Sequence, residues 1–348
     1  MDDKPAPPLR LDLDRAALAA NWRALDRLSG PARAGAAVKA DAYGLGARRV
    51  VPVLATEGCR DFFVAHWAEA AELLDCAPAG SLAVLHGPLT GADAALARAA
   101  GLRPVINSLP QAARWIEAGG GACDLMVDTG INRLGLALAD LADPLVARLE
   151  VEVLHSHLAS ADEDSGQNAA QLAAWQAARA QVPHRRAALA NSAGIALGAA
   201  YHGDLTRPGL ALYGGVPRGE LAGVVQQVAR PMVQLLQVRQ LHPGDVVGYN
   251  GLFTAPAPMR VGVVALGYAD GFLRAWSCGK GMLRHGAAAL PVLGRVSMDL
   301  TIVDLAAAPD VAEGDWLALD YDLPAAARTS GLSQYELLTL LGRRFARP

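Results

Sequence analysis

Reactive side chains stand at the ends of short apolar runs in this chain. Lys39 follows such a run in AVKADAYGLG, and Tyr43 comes four residues later in a turn punctuated by glycines. An amine such as that of Lys39 can form a Schiff base with the aldehyde of a cofactor. Most isolated lysines are solvated surface charges, so the chemistry depends on which other groups gather around this one.

Four further side chains fall at or just after a predicted strand: Arg133, His157, Ser192 and Arg207. Functional groups collect at the C-terminal ends of the strands in a (β/α)8 barrel. The shared position therefore predicts one common mouth for these side chains and Lys39. Each arginine taken alone is more often a surface or ion-pair residue, and His157 alone is compatible with a structural role.

A metal site is the competing interpretation of the two histidines. His155 and His157 are two residues apart and share one face of a predicted strand, which suits a metal pair. No third ligand stands at a convincing spacing. We therefore predict no metal.

The first two-thirds of the chain alternates strand-like apolar runs with Ala-rich segments of helical periodicity, such as 47–57 and 89–100. About eight strand–helix units imply parallel strands with crossover helices, for which a (β/α)8 TIM-type barrel is the closed form. An open doubly wound sheet is the alternative, but no GxGxxG follows the first strand. The predicted strands are 36–40, 61–67, 81–87, 103–108, 123–128, 151–158, 185–191 and 209–215.

A second, mostly β domain follows the Gly- and Pro-containing segment 214–220. We place the barrel at residues 9–220 and the second domain at 221–348, with residues 1–8 as candidates to join it. Its predicted strands are 232–241, 259–268, 290–296, 301–305 and 315–320. A closing helix is predicted from Ser333 and Glu336, which have capping-box spacing before an apolar run.

Composition excludes several classes of protein. The net charge of −3 gives no electrostatic footprint for nucleic acid or an anionic membrane. No apolar run approaches the length of a membrane span, and the acidic N-terminus is unlike a signal peptide. The 4 cysteines are scattered without a CxxC pair. These features favour a cytoplasmic globular protein.

The ordered segments AVKADAYGLG, DTGINRLG, HSHLASAD, NSAG, RPGLALYG, GYADG, GRVSMD and QYE cover nearly the whole chain. In that order they closely resemble the alanine racemase family, whose members are pyridoxal 5′-phosphate enzymes of fold type III. The resemblance implies a (β/α)8 barrel, the same cofactor, an amino-acid substrate, and a homodimer with active sites shared between subunits.

The match to the family motifs implies a role for individual residues of this chain. The resemblance implies that Lys39 holds the cofactor and acts as one catalytic base, and that Tyr268 acts as the second. It also implies substrate contacts from Arg133 and Met298. The implied cofactor contacts are Lys39, Tyr43, Arg133, His157, Ser192, Arg207, Gly209, Leu210 and Tyr335.

The chemistry of these groups is coherent. Racemisation removes the Cα proton from one face and delivers a proton to the other, and one base on each face satisfies that requirement. Lysine and tyrosine titrate near ~10 when free, so both pKa values must fall for work near neutral pH. Arg207 can only donate, which keeps a pyridine nitrogen unprotonated and disfavours transamination. A related decarboxylase is expected to have a carboxylate there.

The chain departs from the family at Met126, where many members have a carbamylated lysine. A thioether cannot neutralise Arg133, so no carbamate partner is expected beside it. We predict interconversion of L- and D-alanine for bacterial wall precursors. The alternatives are a serine or broader racemase, a decarboxylase of the same fold type, and a non-catalytic cofactor carrier.

Overall fold

The computed structural model describes residues 7–78 and 80–348. Its strands, β1 to β18 in order, are Leu9–Leu13, Arg33–Ala34, Ala36–Ala37, Phe62–Val64, Leu82–Val84, Arg103–Ile106, Ala122–Met126, Glu150–His155, Arg186–Ala188, Leu205–Thr206, Ala229–Leu241, Val246–Val247, Phe253–Thr254, Met259–Val264, Met282–His285, Ala288–Leu293, Thr301–Asp304 and Trp316–Leu319. Its helical segments, α1 to α11, are Arg15–Leu28, Lys39–Tyr43, Ala47–Glu57, Trp67–Ala71, Gly91–Ala100, Leu109–Glu117, Pro144–Ala147, Gly166–Gln181, Ser192–Ala196, Leu323–Ser330 and Gln334–Thr339.

Residues 15–226 form one compact unit, a closed parallel barrel. Strands β3 to β9 pair in sequence order, and β10 pairs in parallel with β2, which runs directly into β3. The Arg207 amide donates to the Ala190 carbonyl at 2.8 Å and so joins β10 to the chain after β9. The eight-stranded (β/α)8 prediction is therefore confirmed, and the open sheet is excluded.

A cluster of buried hydrophobic side chains lies in the barrel interior. It draws a single residue from each of seven strands, β4 to β10, as expected for a packed barrel core. Its members are Phe63, Ala83, Val105, Met126, Val153, Ala188 and Leu205. Met126 is 8% exposed and is a packing residue of this cluster.

The predicted strand at 209–215 is wrong. Leu210–Tyr213 forms a 3-10 turn, and the eighth strand lies earlier, at Leu205–Thr206. The alternation of apolar residues imitated a strand, but the amides of Gly209 and Ala211 both donate to the Ser192 hydroxyl, at 2.9 and 3.1 Å. Those bonds curl the segment instead of extending it.

The second unit comprises residues 227–348 together with the described part of the N-terminal segment, residues 7–14. All its strand pairs are antiparallel, and the long strand β11 pairs with β1, β14 and β18. The sheet closes because β18 pairs with both β15 and β11. Ser333 caps α11 in a capping box with Glu336, as the sequence predicted.

The unit boundaries differ from the sequence-based ones. Residues 9–14 belong with the β unit, not the barrel, because β1 pairs with β11 along five residues from Leu9 to Leu13. Residues 221–226 stay with the barrel, where Asn21 bonds the backbone of Gln226 at 2.7 and 2.8 Å. Of residues 1–8, only 7 and 8 are described, and the Pro8 carbonyl accepts from the Gln234 amide in the β unit.

None of the helices within residues 7–78 and 80–348 has both the length and the apolar character needed to cross a membrane.

Candidate active site

Lys39 begins a turn of unusual handedness after β3. The four residues from Ala40 to Tyr43 all have positive φ, at 52°, 52°, 53° and 57°, so α2 is left-handed beyond its first residue. Such a conformation costs about 1–2 kcal/mol for each L-residue. The surrounding structure must therefore hold the turn, and it fixes the spacing between Lys39 and Tyr43.

Two carboxylates hold this turn. Glu69 of α4 accepts the Ala40 amide at 2.7 Å through one oxygen and the Ala65 amide at 2.7 Å through the other. Asp41 accepts the amide of Ala47 at 2.6 Å, which ties the turn to the start of α3. Glu69 thus links the end of β4 to the backbone beside Lys39.

Positive charge surrounds the Lys39 amine. Burial, followed by the nearby guanidinium of Arg133, lowers the pKa of Lys39 below its usual value, and Arg207 adds to the effect. The Glu69 carboxylate opposes the shift without cancelling it. A lowered pKa increases the fraction of neutral amine, the form that attacks a carbonyl or abstracts a proton.

Arg133 lies on a loop built around Asp128. The Asp128 carboxylate accepts four successive amides, from Gly130 to Arg133, at 2.8 to 3.1 Å. This loop fixes the backbone of Arg133. Among the described residues, no side chain forms an ion pair or hydrogen bond with its guanidinium, which leaves all its donors available to an anionic ligand.

His157 follows β8 by two residues and lies near the same cations. Burial and the charges of Arg207, Arg133 and Lys39, in that order, lower the pKa of His157 to about 3. His157 is therefore neutral at physiological pH. Its carbonyl accepts from the Gln171 side chain at 3.0 Å, which anchors the strand end.

Arg207 directly follows β10 and is only 6% exposed. Its terminal nitrogens donate to the carbonyls of Ala188 and Ser156 at 2.7 and 2.5 Å, and Nη1 also contacts His155 Nδ1 at 3.1 Å. Burial lowers the pKa of Arg207 to about 10, so it stays charged near neutral pH. No carboxylate of the described residues pairs with it. Its Nε–H has no acceptor among those residues and is free for a ligand.

A cradle of hydroxyls and glycine backbone lies where α9 and the 210–213 turn meet Tyr43. A Cβ added at Gly209 would lie 2.3 Å from the Tyr43 hydroxyl, so only glycine allows this approach. Ser192 begins α9 and is fully buried, with its hydroxyl turned to the Gly209 and Ala211 amides. Leu210 supplies the next backbone amide of the same turn. Hydroxyls and main-chain amides in such a group suit a phosphate.

The remaining predicted residues lie in the β unit. Tyr268 begins a short turn after β14, and its amide donates to the Ser297 carbonyl at 3.0 Å. The next amide, of Ala269, donates to the Met298 carbonyl at 3.0 Å. These bonds hold Tyr268 and Met298 side by side. The Arg274 guanidinium lies 5.1 Å from the centre of the Tyr268 ring.

A buried carboxylate fixes the Tyr268 turn. Asp270 is fully buried, accepts the Gly267 amide at 3.0 Å and receives two bonds from Arg344 at 2.7 and 2.8 Å. Arg344 also reaches Asp299, beside Met298, at 2.7 Å. Tyr335 lies on α11 and is 40% exposed.

The structure thus groups the predicted residues in two sets, one in each unit. The barrel set shares the C-terminal end of the strands: Lys39, Tyr43, Arg133, His157, Ser192, Arg207, Gly209 and Leu210. The β-unit set is Tyr268, Met298 and Tyr335. Sequence reasoning missed the supporting carboxylates Glu69, Asp128 and Asp270. Only Asp128 left a signal, because an Asp two residues before a Gly commonly accepts amides of its own turn.

Models of known families match both units. The model described as "Alanine racemase, N-terminal domain" matches residues 13–217, and "Alanine racemase, C-terminal domain" matches residues 228–348. The alanine racemase of Rhodospirillum rubrum is 44% identical over 366 residues, covering 99% of this chain and 96% of that protein. That of Acidiphilium cryptum is 42% identical over 350 residues, covering 97% of each.

Solved structures of alanine racemases also resemble this chain over nearly its whole length. The alanine racemase of Bartonella henselae with covalently bound pyridoxal phosphate superposes with a TM-score of 0.87 at 35% identity, covering 98% of this chain and 99% of that one. The biosynthetic alanine racemase of Pseudomonas aeruginosa gives 0.85 at 32% identity, with the same coverage. The chain therefore belongs to the alanine racemase family.

Proposed function

We propose that this protein interconverts L- and D-alanine with pyridoxal 5′-phosphate as cofactor. The observation that carries the proposal is the Lys39 amine, with its pKa lowered, beside Arg133 and Arg207 at the C-terminal end of the barrel. The family assignment supports the same conclusion. A decarboxylase is disfavoured because Arg207 stands where a carboxylate is expected in that class.

The residues present fit this cofactor. Lys39 would provide the amine for its aldehyde, and the Nε–H of Arg207 would donate to its ring nitrogen. In the cradle, the Tyr43 and Ser192 hydroxyls and the Leu210 amide would donate to its phosphate, and Gly209 allows the close approach of its backbone to Tyr43. When bound, the cofactor supplies an electron sink that acidifies the Cα–H bond of the amino acid.

Lys39 and Tyr268 are the two proposed bases. Lys39 takes or returns the Cα proton on one face of the substrate, and the Tyr268 phenol does the same on the other. Arg133 receives the substrate carboxylate, since its guanidinium has no anionic partner among the described residues. Arg207 stays charged, and because it only donates, it keeps the ring nitrogen from taking a proton and favours return of the proton to Cα.

The test is chiral conversion with the purified protein. With pyridoxal 5′-phosphate, D-alanine should form from L-alanine at a rate that exceeds conversion of serine and larger amino acids. Borohydride reduction should trap the cofactor on Lys39, and Lys39→Ala should abolish both trapping and conversion. Faster conversion of serine than of alanine would show that alanine is not the preferred substrate. Trapping of the cofactor in Lys39→Ala would show that a residue other than Lys39 holds it.

We also propose that the protein acts in the cytoplasm as a homodimer with shared sites, Tyr268 and Met298 of one subunit serving Lys39 of the other. Support comes from the separation of the two bases into different units and from the 53% exposure of Met298 on the β unit. A two-fold assembly makes two such sites.

Complementation tests the shared site. Inactive Lys39→Ala and Tyr268→Phe chains are mixed and allowed to exchange subunits. Random exchange puts half of the chains in mixed dimers with one intact site each, so activity should return to about a quarter of wild type. Exchange without recovery would place both bases in one subunit.

A further inference from the structure

A line of hydrogen-bonding side chains crosses the barrel interior behind Arg207. Arg207 Nη1 lies 3.1 Å from His155 Nδ1, and His155 Nε2 lies 3.0 Å from Asp124 Oδ2. The other oxygen of Asp124 is 3.4 Å from the Nε of Arg103. His155 and Asp124 are fully buried. None of the roles assigned above uses either residue.

The chemistry of arginine determines which ring nitrogen of His155 carries the proton. A guanidinium has no acceptor atom, so His155 Nδ1 must accept from Arg207 with its lone pair. The proton of the neutral ring is then on Nε2, which donates to the Asp124 carboxylate. A protonated ring would present an N–H to the Arg207 N–H, and burial and the charge of Arg207 accordingly keep the pKa of His155 low, at about 4.

The contacts of Arg207 indicate that His155 has more than a structural role. The other acceptors of Arg207 are backbone carbonyls, whose positions the strands fix, so His155 is the one side-chain acceptor that the described residues offer it. The Phe63 ring packs edge-on against the imidazole at 5.6 Å and restrains its plane. The imidazole orientation therefore constrains the guanidinium, and with it the direction of the free Nε–H.

We propose that His155 and Asp124 are positioning residues for Arg207: Asp124 holds His155 as the Nε2–H tautomer, and His155 in turn orients the guanidinium. The proposal rests on the proposed function, in which Arg207 favours racemisation over transamination. On this basis the pair sets the reaction specificity of the site without touching the substrate.

The tautomer is measurable without any activity. Nitrogen NMR of the full-length, cofactor-free chain with 15N-labelled histidine should show His155 with a bare Nδ1 and a protonated Nε2, the signals being assigned by their loss in His155→Asn. In Asp124→Asn, a neutral amide oxygen replaces the carboxylate as acceptor of the Nε2 proton, so Nδ1 should stay bare and the Nε2 proton should shift towards the position of a weaker hydrogen bond. A protonated Nδ1 in the wild type, or an Nε2 proton whose chemical shift is unchanged in Asp124→Asn, would overturn the proposal.

The reaction specificity provides the second measurement. With cofactor and alanine, pyruvate formed per racemisation event should rise roughly tenfold in Asp124→Asn and His155→Leu, the effect expected for losing a hydrogen bond to a charged group. His155→Asn keeps an oxygen near the place of Nδ1 and should largely restore the wild-type ratio. The matched control is His202→Asn, since His202 is also buried and, among the described residues, its ring nitrogens are hydrogen-bonded to the backbone carbonyls of Ser29 and Ile195.

The two failures are distinguishable. A wild-type protein that does not racemise alanine refutes the proposed function, whatever the tautomer. If the protein racemises alanine and the ratio of pyruvate formation to racemisation is unchanged in Asp124→Asn and His155→Leu, as in His202→Asn, only the positioning role is refuted.

Discussion

Replacing Gly267 by alanine is the sharpest test of how the β unit presents Tyr268. Gly267 has φ −154° and ψ −169°, an extended conformation that alanine adopts freely. The substitution therefore adds only the steric effect of a methyl group. That methyl would lie 2.2 Å from the Met298 carbonyl oxygen and 2.5 Å from the Ser297 carbonyl oxygen.

The size of the effect follows from these distances. Cβ contacts below 3.0 Å are essentially never seen, so the two backbone segments must separate by at least 0.8 Å, the difference between 3.0 and 2.2 Å. The two segments that must separate carry Tyr268 and Met298. In the native structure, hydrogen bonds from the amides of Tyr268 and Ala269 join these segments. A displacement of ~1 Å in a catalytic group costs about 100-fold in rate, so kcat should fall by about that factor.

The assay measures racemisation in both directions together with cofactor affinity by absorbance titration. Affinity for pyridoxal 5′-phosphate should stay near wild type, because the proposed cradle and Lys39 belong to the barrel. Gly91→Ala is the control, since an added Cβ there meets nothing within 4 Å. A kcat for Gly267→Ala within about threefold of wild type, with the fold intact by circular dichroism, would refute the reasoning.

Three further predictions concern the barrel. The folded-state pKa of His155 is about 4 against an ordinary 6.5, so the unfolded chain takes up this proton first as pH falls. The free energy of unfolding of the cofactor-free protein should then drop by about 3 kcal/mol between pH 6.5 and 4. Urea titrations should show a smaller drop in His155→Asn. An equal dependence of the unfolding free energy on pH in the two proteins would contradict this prediction. Arg207→Glu should raise pyruvate formation relative to racemisation, and an unchanged ratio would count against the role of Arg207. Activity should not depend on bicarbonate, because Met126 cannot be carbamylated; mass spectrometry showing a carbamylated lysine beside Arg133 would refute this.

Periodicity predicted the barrel well because each buried strand is a short apolar run followed by a helix-forming segment. The segment 47–57 matches α3 to the residue. The eighth strand was misplaced because Leu205–Thr206 is only two residues long and is determined by pairing with β2. A pairing partner 172 residues away, the separation of Leu205 from Arg33, leaves no local pattern.

The reactive groups of the site were predictable from motifs, whereas their supports were not. Lys39 and Arg207 stand in recognisable segments, but Glu69 lies on α4 and Asp124 within β7, and both act through hydrogen bonds that only the closed barrel creates. The left-handed turn was equally hidden, because ADAY contains no glycine to indicate positive φ.

In the left-handed turn, a substitution that raises stability is expected to lower catalytic activity. Four successive residues in the left-handed region cost about 4–8 kcal/mol in all, comparable with the net stability of many whole domains. Glycine at Ala40 or Ala42 would release part of this strain, and would at the same time loosen the spacing between Lys39 and Tyr43. Selection for heat resistance alone would therefore drive these positions towards glycine, and selection for catalysis would hold them at alanine. The segment marks a place where laboratory evolution for the two traits is expected to diverge.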